Sequence, residues 1–464
     1  MPLQNVHIRI NDAATGQPTP VRLRVTDSAG NYYAPFGHFN AFPVGPGEAV
    51  NGDVVIDHNR WAVIDGACEI ALPAGELTIQ ATKGPEYTPL NETASLPPGK
   101  MALRFTISRT NDLPAEGWYG GDARCHEPSP HAAGLEAASE GLAVVHLLAT
   151  ERALLAADGN SYWCAPHLTA YSAQGSSLES HGSAICVGTA NGHPHLGMLA
   201  LLHTHRIVYP LSFGGSDATD DWSLEDWCGQ AHRKGGLVVW VDAGGLRRGQ
   251  GSEALANAIL GEVDAVELAD DVPATLEVWK LLANAGVVLP LVGASAKDSN
   301  RTPLGAWRTY ARLPAGEPFS LGGWIDAVRA GRTYVTAGPL VRFAVDGRVA
   351  HAEAFGHAAI DAVEIVRDET VVGRGPMACD ATFDDGRGGW VAARGWRQGK
   401  LVAHTSAVRL DGPRETLAVA PLLRHLDAGR EWVETVGRFD NPKARDHLLS
   451  VFEAATQKLH DLSR

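Results

Sequence analysis

The chain begins with short β-rich segments in which apolar and polar residues alternate, most clearly in VRLRV (21–25) and LRFTI (103–107). Turn sequences such as DSAG and LPPGK separate these segments. Alternation with a period of two places the apolar side chains on one face of a strand, and short strands between turn signals are typical of a β-sandwich. The pattern therefore predicts a β-sandwich domain over residues 1–112.

From Gly117 onward, uninterrupted apolar strands alternate with segments of helical period. The strands include LAVVHLLA, GLVVWVDA and VVLPLVGA, and the helical segments include SLEDWCGQAHRKGG and ATLEVWKLLANAG. Buried strands that alternate with helices are typical of a parallel α/β sheet, and roughly 220 residues of this pattern suit a barrel. We therefore predict an α/β barrel over residues 113–340.

Strand-like segments return after residue 340, in VRFAVDG, AIDAVEIVRD, GWVAARGW and AHTSAVRL. They predict a β-rich region over residues 341–415, which either forms a second sandwich or completes the first one. The period becomes helical from Thr416, in LAVAPLLRHLDAGREWVETV and PKARDHLLSVFEAATQKLHDL. These two segments predict C-terminal helices over residues 416–464.

Charge and composition narrow the class of partner. The 464 residues carry a formal net charge of −14, which argues against nucleic acid or an anionic membrane as the main partner. We find no apolar run of about 20 residues and no secretory signal. The six cysteines are scattered without a C-x-x-C pair, as expected for reduced thiols. We expect a cytoplasmic protein with a small-molecule substrate, and a homo-oligomer is left open.

Histidine is concentrated early in the predicted barrel, where nine of the 19 histidines lie between residues 126 and 205. Because histidine is the usual neutral metal ligand and proton carrier, this cluster is a candidate site. His146 lies inside an apolar strand and is better explained as a core residue. His193 and His195 alternate, as do His203 and His205, which on a strand would suit metal or anion binding or arise by chance.

Polar residues also follow the predicted parallel strands, where ligands bind in α/β domains. The positions are Asp122, His126, Asp242, Glu267, Asp270, Ser295, Lys297 and Asp298. Asp270 and Asp271 precede the helical segment VPATLEVWK, so helix capping explains them better than a site does. Asp242 precedes two glycines, and a functional site is the better interpretation there.

Several motifs together resemble one protein family. Residues 118–126 read WYGGDARCH, residues 234–242 read KGGLVVWVD, and residues 331–340 read GRTYVTAGPL. With DAVEL, GASAKDSN and AHTS, they resemble in order the motifs of PHP-type hydrolases of the CehA/McbA kind, whose opening motif is roughly W-Y-x-G-D-x-H-x-H. The similarity covers most of the chain. It implies a metal-dependent hydrolase on a distorted PHP-type (β/α) barrel.

The expected metal ligands are largely replaced. Arg124 stands where the family has the first histidine of H-x-H, and His126 stands at the second. The family's D-H pair is absent near residues 149–150, and Asp242 and Lys297 stand where later histidines are expected. An arginine keeps its proton and repels a bound metal, so these cations are expected to take the place of one or more metals.

We therefore predict a reduced site with three groups of residues. One divalent zinc, manganese or iron ion, or no metal, is expected at His126, His193 and His195. The predicted catalytic residues are Arg124, Lys297, Asp298 and Asp242. The predicted substrate-binding residues are His131, His205, Arg206 and Asn300.

Three functions remain open from the sequence. The first is a hydrolase-like enzyme acting on an ester, amide, carbamate or phosphate bond, with a metal-bound water as nucleophile. The second is a metal-free hydrolase or lyase, with Lys297 as base or nucleophile, acting on a carbohydrate or acid. The third is a non-catalytic binding protein on a PHP scaffold, and the fold alone does not decide among the three.

Overall fold

The computed structural model describes residues 3–41, 48, 50–155, 161–164, 174–215, 218–269, 271–383, 386–413 and 419–463. Within these ranges the chain combines seven α-helices with many strands, so the predicted α/β class is confirmed. The helices are α1 Pro130–Ser139, α2 Leu224–Arg233, α3 Ser252–Leu260, α4 Val272–Asn284, α5 Leu321–Arg329, α6 Ala420–Thr435 and α7 Pro442–Leu462. No helix in the described part of the chain is long and apolar enough to cross a membrane.

The N-terminal part forms two sheets around one apolar core. The strands are β1 Leu3–Asp12, β2 Val21–Asp27, β3 Tyr32–Tyr33, β4 Asp53–Ile56, β5 Asn59–Ile64, β6 Ala67–Pro73, β7 Gly75–Thr82, β8 Leu90–Leu96 and β9 Ala102–Ile107. The sheet orders are β6-β1-β9 and β4-β5-β2-β7-β8, with β3 beside β2. The predicted alternation is confirmed in β2, where Val21, Leu23 and Val25 are buried and the arginines between them are partly exposed.

The central part carries the strands that position the candidate site. They are β10 Trp118–Cys125, β11 Val144–Ala149, β12 Arg152–Leu155, β13 Ser161–Cys164, β14 Leu178–Ser180, β15 Ser183–His193, β16 Gly197–Leu202, β17 Leu237–Val241, β18 Ala265–Leu268, β19 Leu291–Gly293, β20 Arg308–Arg312 and β21 Thr333–Thr336. The sheet runs in the order β19-β18-β17-β16-β15-β11-β10-β20-β21. Six of these strands, β10, β11, β15, β17, β18 and β19, run in one direction, and β16 runs against them.

The segment after β19 returns to the end of β10. The backbone N–H of Ala296 donates to the carbonyl of Arg124, and the N–H of His126 donates to the carbonyl of Lys297, each at 3.0 Å. Apolar side chains from β10, β11 and β15 to β19 pack against Trp324 of α5 inside this curved sheet. A mixed α/β sheet with this strand order is therefore established, and a barrel of the PHP type stays a prediction.

The strands after residue 340 extend the central sheet and cover it with a second one. They are β22 Leu340–Asp346, β23 Val349–Phe355, β24 Ala362–Arg367, β25 Thr370–Gly375, β26 Ala378–Thr382, β27 Gly389–Arg397, β28 Lys400–Thr405 and β29 Val408–Leu410. Strand β28 pairs with β21, and β22, β23 and β26 form a separate sheet. In the described residues these strands pair with the central sheet or with one another, not with the N-terminal sheets. The helices α6 and α7 then pack on α3.

Candidate functional site

Arg124 and Glu267 form a buried ion pair at the carboxyl ends of β10 and β18. Nη2 of Arg124 lies 2.7 Å from Oε1 of Glu267, and Nε lies 2.9 Å from Oε2. The two residues are 6% and 3% exposed. A bidentate pair is the strongest interaction geometry between arginine and a carboxylate, and it fixes the guanidinium in one orientation.

His126 is the third member of this centre. Its Nε2 lies 3.1 Å from Nη1 of Arg124, and its Nδ1 lies 3.0 Å from the carbonyl oxygen of Leu148 in β11. A carbonyl only accepts, so Nδ1 carries the proton and Nε2 is the basic nitrogen that accepts from Arg124. His126 is half-buried, so it is the most accessible of the three residues.

Asp122 holds the surrounding backbone in place. Its carboxylate accepts hydrogen bonds from the backbone N–H groups of Arg124, Ser295 and Gly305 at 2.8 to 3.2 Å. The pairing of β10 with β11 shifts register between Asp122 and Cys125. Complete burial raises the pKa of Asp122, which these hydrogen bonds partly offset. Asp122 therefore joins the irregular end of β10 to the segment after β19.

Lys297 does not join Arg124 and Glu267. Its ammonium is fully buried, lies 3.4 Å from Glu136 of α1, and donates to the carbonyls of Ser299 and Thr302. Burial raises the pKa of Glu136, and the positive charge of Lys297 opposes that shift. The lysine predicted as catalytic therefore neutralises a buried acid at the interface with α1.

His193 lies in a different environment from His126. Its Nε2 lies 2.9 Å from Asp220, and its Nδ1 accepts from the backbone N–H groups of His195 and Leu196. Burial lowers the pKa of His193, and the hydrogen bond with Asp220 opposes this. Both ring nitrogens thus have protein partners, and the structure does not bring His193 to His126 as a shared ligand pair.

Neither histidine pair lies wholly within a strand, so the predicted alternation does not apply to them. β15 ends at His193, so His195 lies in the following turn, where it is exposed and packs its ring 5.3 Å from that of Trp432. β16 ends before His203, which has a left-handed backbone with φ of 59°, and His205 is exposed and bonded to the carbonyl of Lys234. Neither pair presents two side chains on one strand face.

Two of the other predicted residues have partners outside the centre. Asp242 follows β17 with φ of 53° and forms an exposed ion pair with Arg248 at 2.6 Å. Asn300 is buried and accepts from the backbone N–H groups of Asn51 and Val55, which join the N-terminal sheets to the central one. The remaining predicted residues are exposed: Asp298, His131 and Arg206.

The residues at His126 do not fit a metal ion. The atoms that would bind one, Nε2 of His126 and the carboxylate of Glu267, both accept hydrogen bonds from Arg124. A permanent positive charge at that position repels a divalent cation. In the described part of the chain, no group of three or more His, Cys, Asp or Glu side chains is arranged to hold a metal.

Three acidic partners were not predicted as site residues, namely Glu267, Glu136 and Asp220. Glu267 was identified as a strand-end residue, but its distance of 143 residues from Arg124 concealed the pair. Glu136 had a usable signal, because it is the one acidic residue in the apolar helix PHAAGLEAAS. Asp220 precedes α2 in an ordinary polar segment, which gave no signal.

A comparison of the chain with protein-family profiles and with curated proteins found no match. The resemblance to PHP-type hydrolases therefore stays a prediction that depends on the quoted motifs. The chemistry open to this chain depends on the geometry of Arg124, His126 and Glu267.

Proposed function

We propose that this chain is a hydrolase-like enzyme on a PHP-type scaffold in which Arg124, rather than a metal, supplies the positive charge. The supporting observation is the position of the guanidinium, which hydrogen-bonds both His126 and Glu267. Its substrate would be a small molecule with an ester, amide, carbamate or phosphate bond. The proposal departs from the metal-dependent site that the family resemblance implies, and it takes the metal-free alternative of the predicted reduced site.

In this proposal Arg124 stabilises negative charge on the substrate. A guanidinium fixed beforehand does not need to reorient when an oxyanion forms, which is the main advantage of a preorganised site. Glu267 is the positioning residue, because its two oxygens hold the guanidinium plane. The low exposure of both residues strengthens the electrostatic effect by excluding water.

His126 is the proposed proton carrier. Water attacks the carbonyl carbon or the phosphorus while its proton passes to Nε2, and the bond electrons move to the oxygen beside Arg124. When the intermediate collapses, the leaving group departs with the proton from Nε2. This step requires the attacking water to replace Nη1 of Arg124 as the partner of Nε2, while Glu267 keeps hold of the other side of the guanidinium.

A second candidate is a binding protein without catalysis. The observation that favours it is that the buried cations of this region are neutralised internally, Arg124 by Glu267 and Lys297 by Glu136. Mutual neutralisation of this kind also stabilises a folded scaffold. In that case the Arg124 centre would bind a ligand without converting it to a product.

The test is a hydrolysis screen with p-nitrophenyl esters, a p-nitroanilide, an aryl carbamate and p-nitrophenyl phosphate, run with and without EDTA. We expect turnover of at least one class that EDTA leaves unchanged. Arg124→Gln and His126→Gln should each lower kcat at least about 100-fold, as removal of an oxyanion-stabilising donor or a general base does. The matched control is Arg104→Gln, an exposed arginine of β9 that should retain activity.

Loss of turnover in EDTA, restored by a divalent metal, would contradict the proposal. Turnover that survives in Arg124→Gln would contradict it as well. If no class is hydrolysed, the enzymatic proposal fails and the binding protein becomes the better account.

A further inference from the structure

A cleft of about 520 Å³ lies at the opposite end of the parallel strands from Arg124. Its walls come from the start of β10 at Trp118, the residue before β19, Pro290, and the start of β21 at Thr333. The C-terminal strands close it with residues such as Phe343 and Arg409. Arg124 is six residues beyond Trp118 along β10, so at about 3.3 Å per residue the cleft and the Arg124 centre lie roughly 20 Å apart.

The cleft collects positive charge in an acidic protein. Four arginines line it, namely Arg312, Arg329, Arg332 and Arg409. Among the described residues, no aspartate or glutamate lines it. Because the whole chain has a formal net charge of −14, this local excess runs against the average charge of the surface.

Among the described residues, only one of the four arginines forms an ion pair with a carboxylate. Arg329 forms ion pairs with Asp326 at 3.0 Å and with Asp264 at 3.7 Å. In the part of the chain that the structure describes, Arg312, Arg332 and Arg409 form no ion pair within 4.0 Å. The pKa of Glu116 is lowered first by its hydrogen bond with Arg342, and the charge of Arg312 lowers it as well, so Arg312 has a carboxylate nearby but not in direct contact.

The three arginines are nevertheless held in place by neutral contacts. The guanidinium of Arg312 lies 5.7 Å from the centre of the Trp118 ring. Nε of Arg332 donates to the carbonyl of Arg312, and Nη2 of Arg409 donates to the carbonyl of Gly286. These contacts orient the side chains without placing a carboxylate against them in an ion pair.

Two hydroxyl groups of the cleft, those of Thr333 and Ser406, are already engaged. The hydroxyls of Thr333 and Ser406 lie 2.7 Å apart, and both also bond to the backbone of Leu291. Recognition of a ligand would therefore depend on the guanidinium groups, whose planar forks match carboxylate and phosphate oxygens. Trp118 and Phe343 supply apolar walls for the rest of such a molecule.

We propose that this cleft binds a small organic anion with at least two phosphate or carboxylate groups. The volume is within the range of about 300–1,000 Å³ that small-molecule sites have, and a concave cleft favours a compact ligand over a nucleic-acid backbone. Three arginines without an ion-pair partner among the described residues call for more than one negative charge. The site is separate from the Arg124 centre and does not depend on its chemistry.

The test is isothermal titration calorimetry of the full chain with sodium pyrophosphate in one arm and citrate in the other, at about 0.1 M salt to suppress weak surface attraction. The cleft variants are Arg312→Gln and Arg409→Gln, which change two different walls. The matched control is Arg104→Gln, an exposed arginine of β9 that removes the same charge. Thermal unfolding of each variant shows whether it is folded.

We expect one saturable site for pyrophosphate or citrate, and the preferred anion tells phosphate from carboxylate recognition. Each cleft variant should weaken binding roughly tenfold or more, as loss of a charged hydrogen-bond donor does, while the control binds like the wild type. Failure of both anions to bind, or equal weakening in Arg104→Gln, would overturn the proposal. Binding of a DNA duplex through these arginines without either small anion would also overturn it.

Discussion

Arginines at the two ends of the central sheet have opposite environments. At the carboxyl ends, Arg124 is buried and paired with Glu267 through two hydrogen bonds. At the other end, Arg312, Arg332 and Arg409 line an open cleft and are held by neutral contacts. Arginine therefore serves as a fixed internal charge at the carboxyl ends of the strands, and as a charge available to a ligand at the opposite end.

The comparison shows that the role of a charged side chain depends on its burial and on its partners. A buried cation loses its hydration, so the protein has to supply a carboxylate in compensation. An exposed cation keeps its hydration and can exchange it for a ligand at little cost. Substitutions should therefore affect stability at the buried end and ligand binding at the exposed end.

The largest expected effect is at Lys297. Lys297→Met leaves Glu136 as a buried acid without its cation, so we expect a loss of about 3–5 kcal/mol in the free energy of unfolding, measured by urea denaturation. The double variant Lys297→Met/Glu136→Leu should recover most of that loss, because it removes both charges. If Lys297→Met is as stable as the wild type but inactive, Lys297 has a catalytic role after all.

A smaller effect is expected at Glu267. Glu267→Gln keeps the shape of the side chain but leaves Arg124 without its counter-charge, which should lower the free energy of unfolding by about 2 kcal/mol. The same variant should lower kcat, because Arg124 loses its fixed orientation. Unchanged kcat in a folded Glu267→Gln protein would contradict the positioning role.

A buried histidine of β11, His146, should contribute to the pH dependence of the free energy of unfolding. Burial lowers the pKa of His146 from 6.5 to about 4. Between about pH 4 and pH 6.5, His146 binds a proton in the unfolded chain but not in the folded protein. The free energy of unfolding therefore has its full value above pH 6.5 and falls as the pH drops. At pH 5 this amounts to about 2 kcal/mol relative to pH 7.

The measurement for His146 is urea denaturation of the wild type and His146→Gln at pH 7 and pH 5. The variant should lose less stability over this interval, whatever its absolute stability. An equal loss in both proteins would show that His146 does not contribute to it.

The smallest effect on stability is expected in the cleft. Arg332→Gln removes an exposed charge without an ion-pair partner among the described residues, so its free energy of unfolding should stay within about 0.5 kcal/mol of the wild type. Thermal unfolding can check this. A loss of several kcal/mol would mean that the cleft arginines are structural, and the contrast between the two ends would disappear.

The sequence predicted the regular parts of the fold well. Alternation gave the β-rich N-terminal part, and the apolar strands between helical segments gave the α/β class. The core position of His146 is confirmed by its 2% exposure, and Asp271 caps α4 as expected by accepting from the N–H of Ala274. Asp270 lies outside the described residues. These features follow from local periodicity and capping chemistry, which a sequence displays directly.

The candidate site was harder to predict because its residues lie where periodicity stops. Ala296 and Asp242 both have φ of 53°, and such left-handed residues turn the following side chains away from the direction that alternation would give. The register shift between Asp122 and Cys125 has the same consequence at the end of β10. Arg124 and His126 lie two residues apart in the sequence and their side chains meet at 3.1 Å, whereas the direction of Lys297 could not be read from its position.

The central claim is that the guanidinium of Arg124 takes the place of a metal between His126 and Glu267. Arg124→His tests it most directly, because this change restores the H-x-H pattern and removes the repelling charge. Zinc binding by the wild type and the variant should be compared by calorimetry and elemental analysis. We predict no stoichiometric zinc in the wild type and about one ion per chain in Arg124→His. A wild-type protein that holds one zinc ion, and loses it in His126→Gln, would contradict the account.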